Sequence, residues 1–254
     1  MGPTRHLATQ RRWQHVDNGT REELLGQLAE EIESVTTAHP VRVAIDGRPA
    51  AGKTTLADEL AVVLRARGRE VIRATIEGFL LPRSERHRRG EDSPEGCYHD
   101  SFDFDALHRV LLDPLSPDGD RRFQQAVYDR DTDTALSLPV TTAAADAVLL
   151  FDGVFLLRPE LIDRWELRMF VSAAFEETLA RARTRDLESL GSAARVEQRF
   201  HNRYLPSQQH YFDAVCPTDL ADIIVHNDEP QKPAWEAREE PPAPADDSAP
   251  RLTS

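Results

Sequence analysis

The chain is poor in cysteine: Cys97 and Cys216 are the only two among 254 residues. That excludes both a disulfide framework and a cluster of thiolate metal ligands. Long hydrophobic runs are also missing. The longest, Ala147 to Phe151, falls far short of the roughly 20 apolar residues that a membrane-crossing helix needs. The first residues contain no apolar stretch of the kind that directs export. The expectation is a cytoplasmic chain with no membrane partner. Basic residues are outnumbered, 31 Lys and Arg against 44 Asp and Glu, for a formal net charge of −13. Affinity for a phosphate backbone rests on an excess of cations, so this balance argues against a nucleic-acid partner. A small anion held by a few local cations is compatible with it. No internal repeat is visible. The remaining composition, 40% hydrophobic and 30% charged, is that of a globular protein long enough for one sizeable domain with appendages.

Against that plain background one stretch carries chemistry. Gly47-Arg48-Pro49-Ala50-Ala51-Gly52-Lys53-Thr54 follows the apolar run Val41 to Ile45 and precedes Thr55-Leu56-Ala57-Asp58-Glu59-Leu60. It is a full match to the phosphate-binding pattern G-x-x-x-x-G-K-[ST], set between a strand and a helix as its mechanism requires. Gly47 and Gly52 let the backbone bend around an anion, so that successive N–H groups and the positive end of the following helix point at one phosphate chain. Lys53 supplies a full charge for the β and γ phosphates, and Thr54 offers a hydroxyl to Mg²⁺. A bound nucleotide is the working premise.

Residues 1–19 show no periodicity and are expected to form an irregular arm. Thr20-Arg21-Glu22-Glu23 has the form of a capping box, and Leu25, Leu28, Ile32 and Val35 share one helical face, which predicts a helix over about 21–37. Strands are predicted over 41–45, 70–76, 147–151, 167–171 and 222–226. Helices are predicted over 53–67, 104–112, 175–186 and 194–212, the last interrupted near Pro206. Arg83 to Gly96 reads as a polar surface loop. From Glu229 onward, Pro230, Pro233, Pro241, Pro242, Pro244 and Pro250 stand among acidic and small residues, so 229–254 is expected to be a disordered tail. The alternation of strands and helices over 20–228 predicts one α/β domain, a parallel sheet with helices on both faces and its ligand crevice at the carboxyl ends of the strands. Gly47, Glu77 and Asp152 all fall at such ends.

Asp152 closes an apolar strand about a hundred residues after the loop, which suits a carboxylate holding Mg²⁺ directly or through water. Glu77 is the base expected to accept a hydroxyl proton, since phosphoryl transfer to an alcohol asks mainly for alignment, charge neutralisation and a proton acceptor. Arg181 and Arg185 lie one helical turn apart and can reach a triphosphate from the side opposite the loop. Tyr98 to Asp103 and the pair Tyr128-Asp129 mix aromatic and acidic residues, so His99, Asp100 and Tyr128 are expected to bind a polyhydroxylated or heteroaromatic acceptor.

Taken in order, several stretches resemble the uridine kinase, phosphoribulokinase and bacterial pantothenate kinase branch of the P-loop kinases. They are Val43 to Gly47 leading into Gly52-Lys53-Thr54-Thr55, Ile76-Glu77-Gly78-Phe79, Val127-Tyr128-Asp129, Leu150 to Val154, Arg181 with Arg185-Asp186, and Ala221 to Val225. The resemblance implies a P-loop NTPase fold of three α/β/α layers, with a five-stranded parallel sheet and a helical lid over about 181–206. It implies a kinase using ATP and Mg²⁺. By similarity the loop from Gly47 to Thr55 binds the phosphates, Thr54 and Asp152 hold the metal, Glu77 is the catalytic carboxylate, Arg181 and Arg185 belong to the lid, and Tyr128 binds the acceptor. Two positions differ from the pattern. Glu77 stands where the family usually has Asp, and Arg130-Asp131-Thr132-Asp133 stands where uridine kinases carry a base-recognising His. The expected acceptor is a small-molecule alcohol, a nucleoside such as uridine or cytidine first and pantothenate or a similar alcohol second. A nucleotide-binding module with weak or lost transfer is the reading from another class. Self-association into a homo-oligomer is left open by the sequence.

Overall fold

The computed structural model describes residues 13–16 and 19–238. Seven strands form one sheet: β1 (Trp13–Val16), β2 (Val41–Gly47), β3 (Val71–Thr75), β4 (Val148–Asp152), β5 (Leu167–Ser172), β6 (Ile223–His226) and β7 (Ala234–Arg238). Their spatial order is β1-β7-β6-β5-β2-β4-β3. From β6 across to β3 every neighbouring pair is parallel. β7 then adds antiparallel to β6, and β1 antiparallel to β7.

The middle strands are apolar on both sides because both sides are covered. β2 is buried along its whole length. Its Val41, Val43 and Ile45 pack with Val148 and Leu150 against Leu24, Leu28 and Ile32 of α1 (Arg21–Ser34) and Leu56, Leu60 and Leu64 of α2 (Lys53–Ala66). Ala44, Leu149 and Phe151 point the other way, into a second core with Phe79, Leu107, Leu111, Phe155 and Tyr211. That alternation, at the strand period of two, is what makes the molecule three layers thick. α1 begins with the expected capping box: Thr20 accepts from the Glu23 amide, and Glu23 accepts from the Thr20 amide.

On the second face, a turn of helix at Arg83–Arg86 lies within the segment expected to be loop, and α3 (Pro94–His99), held at its start by the Ser93 side chain, begins at its end. The segment expected to be the lid, about 181–206, falls within a longer run of broken helices. That run comprises α4 (Phe175–Arg185), a short turn of helix at Leu187–Leu190 and α5 (Ala193–Arg199), then a π-helical turn at Phe200–Tyr204 that runs into α6 (Leu205–Val215). Leu179, Ala182, Val196 and Phe200 give it a small core of its own, against which Ala50 of the phosphate-binding loop packs.

Two expectations about the chain ends are corrected. Residues 13–16, expected to be irregular, form β1, and residues 234–238, expected to be disordered, form β7. The five parallel strands are therefore part of a seven-stranded sheet. The physical reason is Trp235, which enters the α1–α2 core and donates its indole N–H to Gln27 Oε1 at 3.1 Å. One buried aromatic anchors a stretch that its flanking Pro230 and Pro233 made look unstructured. The rest of the expected arm and tail, 1–12, 17–18 and 239–254, lies outside the described residues.

Parallel pairing brings the strand ends to one edge. Ile45 and Thr75 both sit opposite Asp152, so the loop after β2, the turn after β3 and the carboxylate ending β4 fall in one row.

Candidate active site

The loop from Gly47 to Gly52 owes its path to space as well as to φ. At Gly47, with φ of +147°, a β-carbon would lie 2.3 Å from the Val171 carbonyl oxygen; at Gly52, with φ of +99°, it would lie 2.4 Å from Asn227 Nδ2. Ala50 also takes a positive φ, +60°. Lys53 folds back and donates from Nζ to the Arg48 carbonyl at 2.8 Å. Arg48 lies over the Phe212 ring, 5.2 Å from its centroid. Asn227, just past β6, donates its amide to the Ala51 carbonyl at 2.7 Å.

Arg181 joins that clamp. Its guanidinium donates to the carbonyls of Asn227 and Asp228 at 2.8 Å each and reaches Ala51 at 3.4 Å. Where a triphosphate was expected as its partner, its donors here go to backbone oxygens. Arg185 differs. It pairs with Asp186 at 2.6 Å, yet it stands close enough for its charge to act on Lys53 and for Glu77 to act on it. Of the two arginines, Arg185 is the one whose charge acts on Lys53.

Beneath the loop, Asp46 is fully buried and accepts from the Gly47 amide at 2.7 Å and the Tyr211 hydroxyl at 2.6 Å. Tyr211 in turn accepts from the Leu157 amide at 3.0 Å. Burial raises the Asp46 carboxyl to about 6 despite those donors and the neighbouring Lys53 charge. Burial also lowers the Lys53 ammonium to about 8, against the pull of Asp46 and Asp152. Tyr211 is held well above the ordinary phenol range, first by burial and then by the Asp46 charge.

Thr54 donates its hydroxyl to Asp152 Oδ2 at 2.6 Å. A hydroxyl and a carboxylate in contact at the mouth of the loop are two hard oxygen donors, the set Mg²⁺ takes when phosphates and waters complete its shell. Among the described residues no group of three or more His, Cys, Asp or Glu side chains is gathered for a metal. Asp152 has a second partner that the sequence reading missed: Arg73 of β3 donates from Nη2 to Oδ1 at 2.9 Å. The available signal was a basic residue inside the strand Val71-Ile72-Arg73-Ala74.

Across from the loop, Glu77 lies on a 3₁₀ turn (Ile76–Phe79) that continues β3. It is half exposed and takes a 2.7 Å ion pair from Arg130, which is half exposed as well. The expected acceptor ligands are partly committed elsewhere. Asp100 is buried and accepts from Arg88 and Arg89 at 2.6 Å each; the Arg88 hydrogen bond, ahead of that from Arg89, holds its carboxyl below the usual range. Tyr128 donates to Asp133 at 2.5 Å, and burial with that carboxylate raises its hydroxyl. The Arg83–Arg89 stretch, largely exposed as a polar surface loop should be, also supplies the counter-charge for Asp100 and, through Arg86, for Asp133. His99 ends α3 in a ring cluster with Tyr98 and His210, at 4.8 and 5.8 Å between centroids. Beyond Asn227 a hollow of about 310 Å³ opens between His226, Asp228, Glu229, Lys232 and Ala234.

A phosphate loop leaving the central strand of a parallel sheet, a Thr–Asp pair at its mouth and helices folded over it are the marks of a P-loop kinase. A model of the cytidylate kinase-like family matches residues 42–228, and the chain belongs to that family. Uridine-cytidine kinase B of Dictyostelium discoideum is 24% identical over 196 residues, 73% of this chain and 78% of that protein. Among solved structures, a possible uridine kinase from Bacillus stearothermophilus superposes with a TM-score of 0.64 at 22% identity, covering 80% of this chain and 97% of the other. The D-glycerate 3-kinase of Cryptococcus neoformans shares the fold at a TM-score of 0.59 and 14% identity, over 84% and 96% of the two chains. The resemblance read from the ordered motifs holds: the protein is a small-molecule kinase of the uridine kinase-like branch, with a nucleotide-binding P-loop fold. No helix among the described residues is long and apolar enough to cross a membrane.

Proposed function

We propose that this protein transfers the γ-phosphoryl group of ATP to the primary hydroxyl of a nucleoside such as uridine or cytidine. The observation that carries the reading is the contact of Thr54 with Asp152 beside Lys53, facing Glu77 across the row of strand ends. Lys53 exchanges the Arg48 carbonyl for phosphate oxygens, and the amides of the loop cradle the same chain. Thr54 and Asp152 would hold Mg²⁺, which when bound neutralises phosphate charge. Glu77 takes the proton of the acceptor hydroxyl as its oxygen forms the bond to the γ phosphorus, while the bond to the β–γ bridging oxygen breaks and ADP leaves. Arg185 stabilises the charge that spreads over the moving group. The hollow beyond Asn227 is large enough to take the nucleoside half of ATP.

One observation favours a second acceptor class. The carboxylate proposed as base is bridged by Arg130, a cation able to grip an acid group on the acceptor. This supports an acid-bearing alcohol, of which pantothenate and glycerate are examples. Transfer from labelled ATP is measured against uridine, cytidine, pantothenate and D-glycerate. A nucleoside turned over best supports the first reading and an acid-bearing alcohol the second. Transfer to none of them, with ATP bound, leaves a nucleotide-binding module. Glu77→Asp separates the cases further: it raises transfer if the site has decayed and lowers it if Glu77 is fitted to its acceptor.

A further inference from the structure

Arg73 stands behind the Thr54–Asp152 pair, on the edge strand of the sheet. All three of its guanidinium nitrogens are engaged. Nη2 donates to Asp152 at 2.9 Å, Nε to Asp58 of α2 at 2.9 Å, and Nη1 to the Leu150 carbonyl at 2.6 Å. Asp152 is almost wholly buried, with one oxygen on Arg73 and the other on Thr54. Asp58 is largely exposed, so solvent screens it and it takes up only part of the Arg73 charge.

We propose that Arg73 sets the metal affinity of this site, neutralising Asp152 so that Mg²⁺ is not retained by the protein alone and enters with the triphosphate. This rests on the kinase reading of the same site. A divalent ion approaching Asp152 meets a fixed unit charge one carboxylate away, in a place where water screens poorly. Arg73 cannot swing clear, because its other donors tie it to α2 and to the backbone of β4. It leaves the ion only the oxygen shared with Thr54. Arg73 is in this sense a positioning residue, acting on the metal through Asp152.

The test is calorimetry of ATP binding across a series of Mg²⁺ concentrations, with thermal shifts in Mg²⁺ alone, for wild type, Arg73→Gln, Arg73→Lys and Asp58→Asn. Arg73→Gln is expected to lower the half-saturating Mg²⁺ concentration at least threefold and to produce a thermal shift with Mg²⁺ alone. Arg73→Lys, which keeps the charge, stays within twofold of wild type. Asp58→Asn is expected to raise the half-saturating concentration, because the guanidinium charge then falls on Asp152 alone. A smaller decrease, no change or an increase for Arg73→Gln overturns the proposal, even if that variant melts earlier. If Arg73→Gln does not fold, Asp58→Asn decides, since its exposed side chain is not needed for packing; an unchanged or lower Mg²⁺ requirement there overturns it. Absence of Mg²⁺-dependent ATP binding in the wild type refutes the kinase reading and this proposal together.

Discussion

Gly47 and Gly52 serve one loop but fail differently when replaced. A β-carbon at Gly47 collides with a backbone carbonyl in the neighbouring strand, which cannot move without breaking the β2–β5 ladder. At Gly52 it meets the amide end of Asn227, a side chain that can shift only by giving up its hydrogen bond to the Ala51 carbonyl. Gly47→Ala is expected to abolish ATP binding and to destabilise the fold by about 3 kcal/mol, whereas Gly52→Ala should lose about 1 kcal/mol and retain weaker binding. Chemical denaturation and calorimetry distinguish them. The buried Asp46 gives a pH signature. Its carboxyl is raised from 3.8 to about 6, so between those values the folded state holds more proton than the unfolded one, and stability falls as pH rises through the window. On the order of 3 kcal/mol is at stake. Melting of Asp46→Asn should lack that decline; the difference from wild type measured between pH 4 and 7 checks it. Residues carrying a motif were legible in the chain. Their partners Asn227, Arg73 and Tyr211 were not, because each acts across a distance in sequence that only pairing of the strands closes.

The elements themselves were readable wherever a face was buried at a regular period, as in α1, α2 and the middle strands. They were misread where a single contact decides, as with Trp235 in β7. Trp235→Ala should cost about 3–5 kcal/mol, the range for an aromatic lost from a core, with ATP affinity per folded molecule unchanged. α4 shows how one helix divides its work. Arg181→Ala removes donors from three carbonyls and is expected to destabilise by about 1–3 kcal/mol. Arg185→Ala is expected to lower transfer about a hundredfold, the scale for one lost transition-state donor, with little change in melting. Rates and melting temperatures of the two variants should move in opposite order. Their shared helical face was evident from the four-residue spacing. That Arg181 is taken up by backbone carbonyls was not, since that depends on where the segment after β6 lies.

At the scale of the molecule, two large cores clasp the sheet and a third, small one lies under the lid. The small one joins the helices over 175–204 to Ala50 of the loop. Under the proposed function, Lys53, Arg130 and Arg185 would be the local cations that draw the anionic nucleotide to a chain whose formal net charge is −13.

The outer edge of the sheet has a consequence for how the protein folds. β1 finds its neighbour only in β7, whose own neighbour is β6. Among the described strands, β1 and its partner β7 lie more than two hundred residues apart, the longest separation of any pair in the sheet. Joining them closes the largest loop in the sheet, so this outer pair is expected to form late in folding, after the middle strands have met.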